Sequence, residues 1–184
     1  MMKATIEDRL HRLEAIDAIR ALKARYAMLA DAKYTPDYQR VGDKEMQDLA
    51  SQQASCFTED AVWKGSNGFG GDLRGREELS NWFMSSPWNF AIHYYVSPEI
   101  RVDDGHATAT WRLWQLALRR DCDDAVVLAA VTDEGYRLEG DGGWLCSSME
   151  FKQIHMATVG AGPGALAKSL DELSKHQIFK DGTT

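Results

Sequence analysis

Two residues carry side chains at odds with their surroundings. Asp31 closes a long run of helically spaced apolar residues, and His93 interrupts the aromatic stretch from Trp88 to Val96. An imidazole titrates near neutrality without assistance. A carboxylate bonded to one ring nitrogen would fix the tautomer and support positive charge on the ring. The other nitrogen would then be free to take a proton from a substrate carbon. The plainer alternative is a core histidine tied to a carboxylate with no chemistry to do. Other motif classes fail. The five histidines show no metal-binding spacing. There is no phosphate-binding glycine loop ending in Lys-Ser/Thr and no nucleophile elbow. Gly160-Ala161-Gly162 runs into Pro163 outside any βαβ context, so a dinucleotide fingerprint is not expected. The sequence therefore predicts neither cofactor nor metal.

The elements that must position these groups read from periodicity. Ile6, Leu10, Leu13, Ile16, Ile19, Leu22, Tyr26 and Leu29 recur at spacings of three or four, which predicts a helix over 5–32. Thr5 with Asp8 three residues on has the form of a capping box. Pro36 then breaks the pattern. Further helices are predicted over 43–55 and 75–84, with a glycine-rich loop over 65–71 between them. The β region is predicted to begin at Asp60-Ala61-Val62-Trp63. Residues 89–102, 106–120, 125–138 and 143–157 are rich in β-branched and aromatic types and are separated by short Asp/Gly turns. Such strands form an antiparallel meander, because parallel neighbours need long crossovers. Helices first and strands last predict an α+β fold. The chain reads as a single domain over 1–184. Residues 158–184 form a C-terminal extension or lid, with an amphipathic helix over 165–175 carrying Leu166, Leu170 and Leu173.

Alternation places His93, Tyr95 and Ser97 on one strand face, and Trp111, Leu113 and Gln115 on one face of the next. With Trp63 these walls suit a flat, apolar or aromatic ligand, although ordinary core packing would use the same residues. Gln115, Ser148 and Glu150 are polar residues within strand-like runs; the first two could orient a ligand, while Glu150 reads as a solvated position.

The chain has 184 residues, 44% hydrophobic and 27% charged, with a formal net charge of −7. That composition is globular, and the acidic balance disfavours nucleic acid as a partner. No apolar run is long enough to span a membrane. The opening MMKATIEDRLHRLE lacks the apolar core of a signal peptide, and Cys56, Cys122 and Cys146 do not form a disulfide framework. A cytoplasmic protein is expected.

Several segments resemble the SnoaL-like branch of the NTF2-like superfamily. They are Ala24-Arg25-Tyr26-Ala27 followed by Asp31, then Cys56 to Trp63, then Leu73-Arg74-Gly75-Arg76-Glu77-Glu78-Leu79. The block His93 to Ile100 with Val102-Asp103-Asp104-Gly105-His106-Ala107 follows, and last come Gly135-Tyr136, Asp141 and Gly143-Trp144. Ser97 stands where the family often has Asn, and the stretch between Asp31 and Phe57 is longer than usual. The resemblance implies a cone in which helices pack on a curved, mainly antiparallel sheet around an apolar pocket.

It also implies that Asp31 and His93 pair at the pocket floor, as in dehydratases of the scytalone dehydratase and bile-acid 7α-dehydratase type. Tyr26 matches a tyrosine that polarises a substrate oxygen, where a phenol can donate to a developing oxyanion. Positions 26 and 31 lie about 140° apart on an ideal helix, so both reach one cavity only if the sheet wraps the helix or the helix bends. The implied activity is a cofactor-independent lyase or isomerase acting on a small apolar, aromatic or polycyclic metabolite. His93, Asp31 and Tyr26 would be catalytic; Trp63, Tyr95, Trp111, Gln115 and Ser148 would bind substrate. Alternatives are a non-catalytic binding module and an accessory subunit like a ring-hydroxylating dioxygenase β-subunit. Assembly through the convex sheet face implies a dimer or trimer.

Overall fold

The computed structural model describes residues 5–65, 70–140 and 142–175. Phe69, Asp141 and His176, and the centre of the glycine-rich loop, lie outside the described residues. The first helix, α1, spans Ile6–Asp31 and opens on the reciprocal capping box of Thr5 and Asp8. It is followed by α2 (Asp43–Ala54), strand β1 (Phe57–Lys64), the two-residue β2 (Leu73–Arg74) and α3 (Gly75–Met84). Four long strands complete the sheet: β3 (Trp88–Asp103), β4 (His106–Arg119), β5 (Ala125–Leu138) and β6 (Trp144–Gly160). A short α4 (Leu170–Lys175) ends the described chain.

The six strands run in the order β2-β1-β6-β5-β4-β3. β3 to β6 form the expected antiparallel meander, and β1 adds to β6 in parallel. The helix α3 and the strands β2 to β5, which lie between β1 and β6 in sequence, make that parallel return possible. Three details differ from the sequence reading. β1 starts at Phe57, not Asp60, because Phe57 already pairs with Cys146. β6 continues to Gly160, where it pairs with Ala125. The tail is helical only from Leu170, whose side chain is exposed.

α1 lies against β3 and β6 and against α2. Its buried residues are Ala15, Ile19, Lys23, Tyr26 and Ala30, while Ile6, Leu10 and Leu13 stay exposed. The apolar stripe read from sequence therefore serves the core only in its C-terminal half, because the N-terminal turns project beyond the sheet. Register shifts between Val96 and Glu99 put a bulge in β3. Ser97 sits in that bulge with φ 48, a left-handed conformation that asparagine adopts more readily than serine. Ser97 is thus the strained counterpart of the Asn expected in the motif.

The core beneath α1 contains a buried charge network. The Lys23 ammonium meets Glu134 Oε1 at 2.6 Å, with both side chains almost fully enclosed. Thr132 donates to the same oxygen at 2.7 Å, and the Tyr136 hydroxyl donates to Oε2. Trp111 Nε1–H donates to the Tyr136 oxygen at 3.1 Å. Lys23 also lies 3.8 Å from the Tyr95 ring centre, a cation–π contact. The arrangement pins α1 to β3 and β5. Removing one partner strands the other charge in low dielectric, so Glu134→Gln should cost about 3–5 kcal/mol in urea denaturation. The double change Lys23→Met with Glu134→Leu should cost far less. Equal losses in both would show that the pair's charge is not what matters.

Candidate active site

Asp31 is the last residue of α1, and its carboxylate faces a helix C-terminus, where negative charge is disfavoured. β3 compensates. Asp31 Oδ1 accepts the backbone N–H of His93 at 3.1 Å and the ring Nδ1–H at 2.7 Å. One oxygen thus fixes both the strand and the plane of the imidazole ring. With Nδ1 carrying the proton, Nε2 is the basic nitrogen and has no protein partner among the described residues.

His93 borders a cavity of about 340 Å³ enclosed by α1, α2, α3, β1 and the inner faces of β3 to β6. Tyr26, Trp63, Tyr95 and Gln115 also line it, as do Lys33, Tyr34, Gln53, Trp82, Phe83, Trp88 and Phe151. The size and the apolar lining with a few convergent polar groups are those of a small-molecule site. Asp31 does not line this cavity. It borders an outer groove between α1 and β3 that His93 also reaches. The 140° separation is resolved in this way: Tyr26 points inward, Asp31 stands behind the histidine, and the helix needs no bend.

Two residues named from sequence are placed elsewhere. Trp111 belongs to the Glu134 network and the outer groove. Ser148 lines a more polar groove with Lys64, Arg101 and Asp133. The reason is register: Ser148 pairs with Gly135 and Val62, far along the sheet from His93 and its cross-strand partner Gln115.

The hydroxyls of Tyr26 and Tyr95 are pushed up from the ordinary tyrosine range, first by burial and then by nearby ionisable groups. Both therefore remain protonated donors at neutral pH. Tyr26 packs edge-on against Phe57, Phe83 and Tyr95, and its hydroxyl is a hydrogen-bond neighbour of Gln53. Gln115 is buried, and its Nε2 has no hydrogen-bond partner among the described residues. A buried donor left unpaired costs free energy, and the residue that carries it borders the cavity.

Lys33, unremarked in the sequence reading, is 5% exposed. Its ammonium donates to Gln53 Oε1 at 3.0 Å and to the Phe83 carbonyl at 3.1 Å. The latter is one of the last carbonyls of α3, an end that favours a cation. Arg40 caps the same end through Met84 and Ser86. The signal for Lys33 was present in the spacing: Ile19, Lys23, Tyr26, Ala30 and Lys33 continue one buried stripe at intervals of four and three.

The profile of the SnoaL-like domain family matches residues 11–150. No match was found among curated proteins. Among solved structures, the hexachlorocyclohexane dehydrochlorinase LinA type 3 from Novosphingobium barchaimii superposes with a TM-score of 0.63 at 18% identity, covering 81% of this chain and 94% of that one. A protein provisionally assigned as a scytalone dehydratase from Novosphingobium aromaticivorans gives 0.63 at 15% identity, covering 85% and 97%. A provisionally assigned aromatic ring hydroxylase from the same species gives 0.60 at 20% identity, covering 84% and 96%. At these identities the likeness establishes the shared NTF2-like fold.

Burial lowers the Lys33 amine from its usual value near 10.5 to about 8, with the Arg40 charge adding to the effect and Asp31 opposing it. The unfolded chain keeps this proton up to the higher value. Between the two values the unfolded state binds more protons, so stability rises with pH; below the lower value the full cost of the buried charge is present. Relative to Lys33→Met, the wild-type protein should gain about 3 kcal/mol between pH 8 and 10.5 in denaturant titrations. A pH-independent difference would show that Lys33 titrates normally.

Proposed function

The chain belongs to the SnoaL-like domain family, and on that footing we propose that it is a cofactor-independent lyase of the dehydratase type, or an isomerase. Its substrate in this reading is a small apolar, aromatic or polycyclic metabolite. The observation that carries the reading is the single Asp31 oxygen holding both the backbone and Nδ1 of His93 beside an apolar cavity. Structural neighbours that are a dehydrochlorinase and a provisionally assigned dehydratase support it, since both names describe eliminations.

In this account His93 Nε2 takes a proton from a substrate carbon. The released electron pair forms a carbon–carbon double bond as the leaving group departs, or shifts an existing one. The Asp31 carboxylate supports the imidazolium, which returns its proton to the leaving oxygen or to another carbon. Tyr26, kept protonated by its burial, donates to a substrate oxygen. The aromatic walls exclude water. The tail is proposed as a lid: Lys168 bridges to Asp37 at 2.6 Å and covers the Tyr38 ring, and Gly162 N–H donates to Asp124. No described helix is long and apolar enough to cross a membrane, and a cytoplasmic location remains part of the proposal.

Elimination from a panel of cyclic alcohols and halides, followed by ultraviolet absorbance, tests the reading. His93→Ala and Asp31→Asn should each lower kcat by about 100-fold or more, with circular dichroism and ligand binding retained. Full activity in both variants would contradict it. The reading also includes a homo-oligomer, a dimer or trimer, built through the outward sheet face. There Tyr94 and Trp114, opposed across β3 and β4, are 54% and 53% exposed. Light scattering should show an oligomer that Trp114→Glu dissociates; a monomeric wild type would exclude it.

A further inference from the structure

One end of the cavity carries positive charge that the protein does not neutralise. Lys33 and Arg40 are coupled electrostatically. Both donate to neutral partners: Gln53 and Phe83 for the lysine, Met84 and Ser86 for the arginine. Neither has a carboxylate within ion-pair distance among the described residues. Asp31 is the near negative group, and it is engaged by His93. This contrasts with Lys23, which is equally buried but has Glu134 against it. A buried cation without a counter-ion is costly, and the protein has kept this one at the wall of a cavity rather than in solid core.

An ammonium has three N–H donors. Lys33 uses two on protein carbonyl oxygens and lines the cavity with the third in hand. Gln115 borders the same cavity, is 6% exposed, and has an enclosed Nε2 with no hydrogen-bond partner among the described residues. The two donors are of different kinds and stand on different elements, and both lack the same thing: an acceptor. The rest of the lining is aromatic and aliphatic, including Trp63, Trp82 and Phe151.

We propose that the ligand of this cavity is a small aromatic or alicyclic carboxylate, its carboxylate held by Lys33 and Gln115 and its apolar body lying between the tryptophans and His93. This deepens the proposed function and takes from it only that the cavity is the substrate site. The carboxylate is the handle, and the carbon that gives its proton to His93 lies elsewhere on the ring system. Helix capping by Lys33 alone is the competing account. It explains the bond to Phe83, but not the unpartnered Gln115 or the missing counter-ion.

The test compares 2-naphthoate with its neutral isostere 2-naphthamide, read by quenching of the tryptophan fluorescence and by calorimetry on the full chain. The wild type should prefer the carboxylate by about tenfold or more, the scale of one charge-assisted hydrogen bond. Lys33→Met should abolish the preference, with Lys33→Gln used if the methionine variant fails to fold. Gln115→Leu should reduce it several-fold. His93→Ala should keep it, so that failure of the catalytic reading and failure of this one are separately visible. Equal binding of both probes by the wild type, or a preference that survives in the Lys33 variants, overturns the proposal.

Discussion

A single carboxylate oxygen joins the two halves of this protein at its most consequential point. Asp31 Oδ1 takes the backbone and ring protons of His93 together, so the end of α1, the start of the sheet's inner wall and the orientation of the imidazole are set by one atom. The location is unfavourable for a carboxylate on helix-dipole grounds, and the two hydrogen bonds from β3 are what make it tenable. Everything else in the site follows from having that histidine fixed. Its other ring nitrogen has no partner among the described residues, and the aromatic walls contributed by β1, α3 and β6 form the space opposite it.

Two buried lysines show how the same residue serves opposite purposes. Lys23 faces Glu134 within a network that also includes Thr132 and Tyr136. It also lies against the face of Tyr95, the residue two positions after His93. That ion pair steadies the helix and the strand that carry the candidate site. Lys33 lies ten residues on along the same stripe and donates to two neutral oxygens, with no ion-pair partner among the described residues. Burial lowers its proton affinity, and it borders the cavity.

The fold was readable from sequence because its signals were local and long. The apolar spacing of α1, the Thr5–Asp8 cap and the Asp/Gly turns between long β-rich runs each specify an element independently of the rest. The inner faces of β3 and β4 followed from alternation, which placed His93, Tyr95 and Gln115 together correctly. What was not legible depended on register and tertiary partners. Ser148 had the right chemistry but lies at the other end of the sheet, and Trp111 turned out to serve Tyr136. β1 begins earlier than its own residues declare because Cys146 pairs with Phe57. Lys33 was overlooked because a lysine is by default a surface residue. Only its place in the stripe of Ile19, Lys23, Tyr26 and Ala30 marked it as buried.

The account stands or falls on the protonation geometry of His93. Nitrogen-15 NMR of the selectively labelled imidazole reads it directly. At a pH where the ring is neutral, the account predicts the Nδ1–H tautomer with a bare Nε2, and redistribution between tautomers in Asp31→Ala. A neutral ring carrying its proton on Nε2 in the wild-type protein, or a tautomer indifferent to Asp31, would contradict the assignment of Asp31 as orienter and His93 as base.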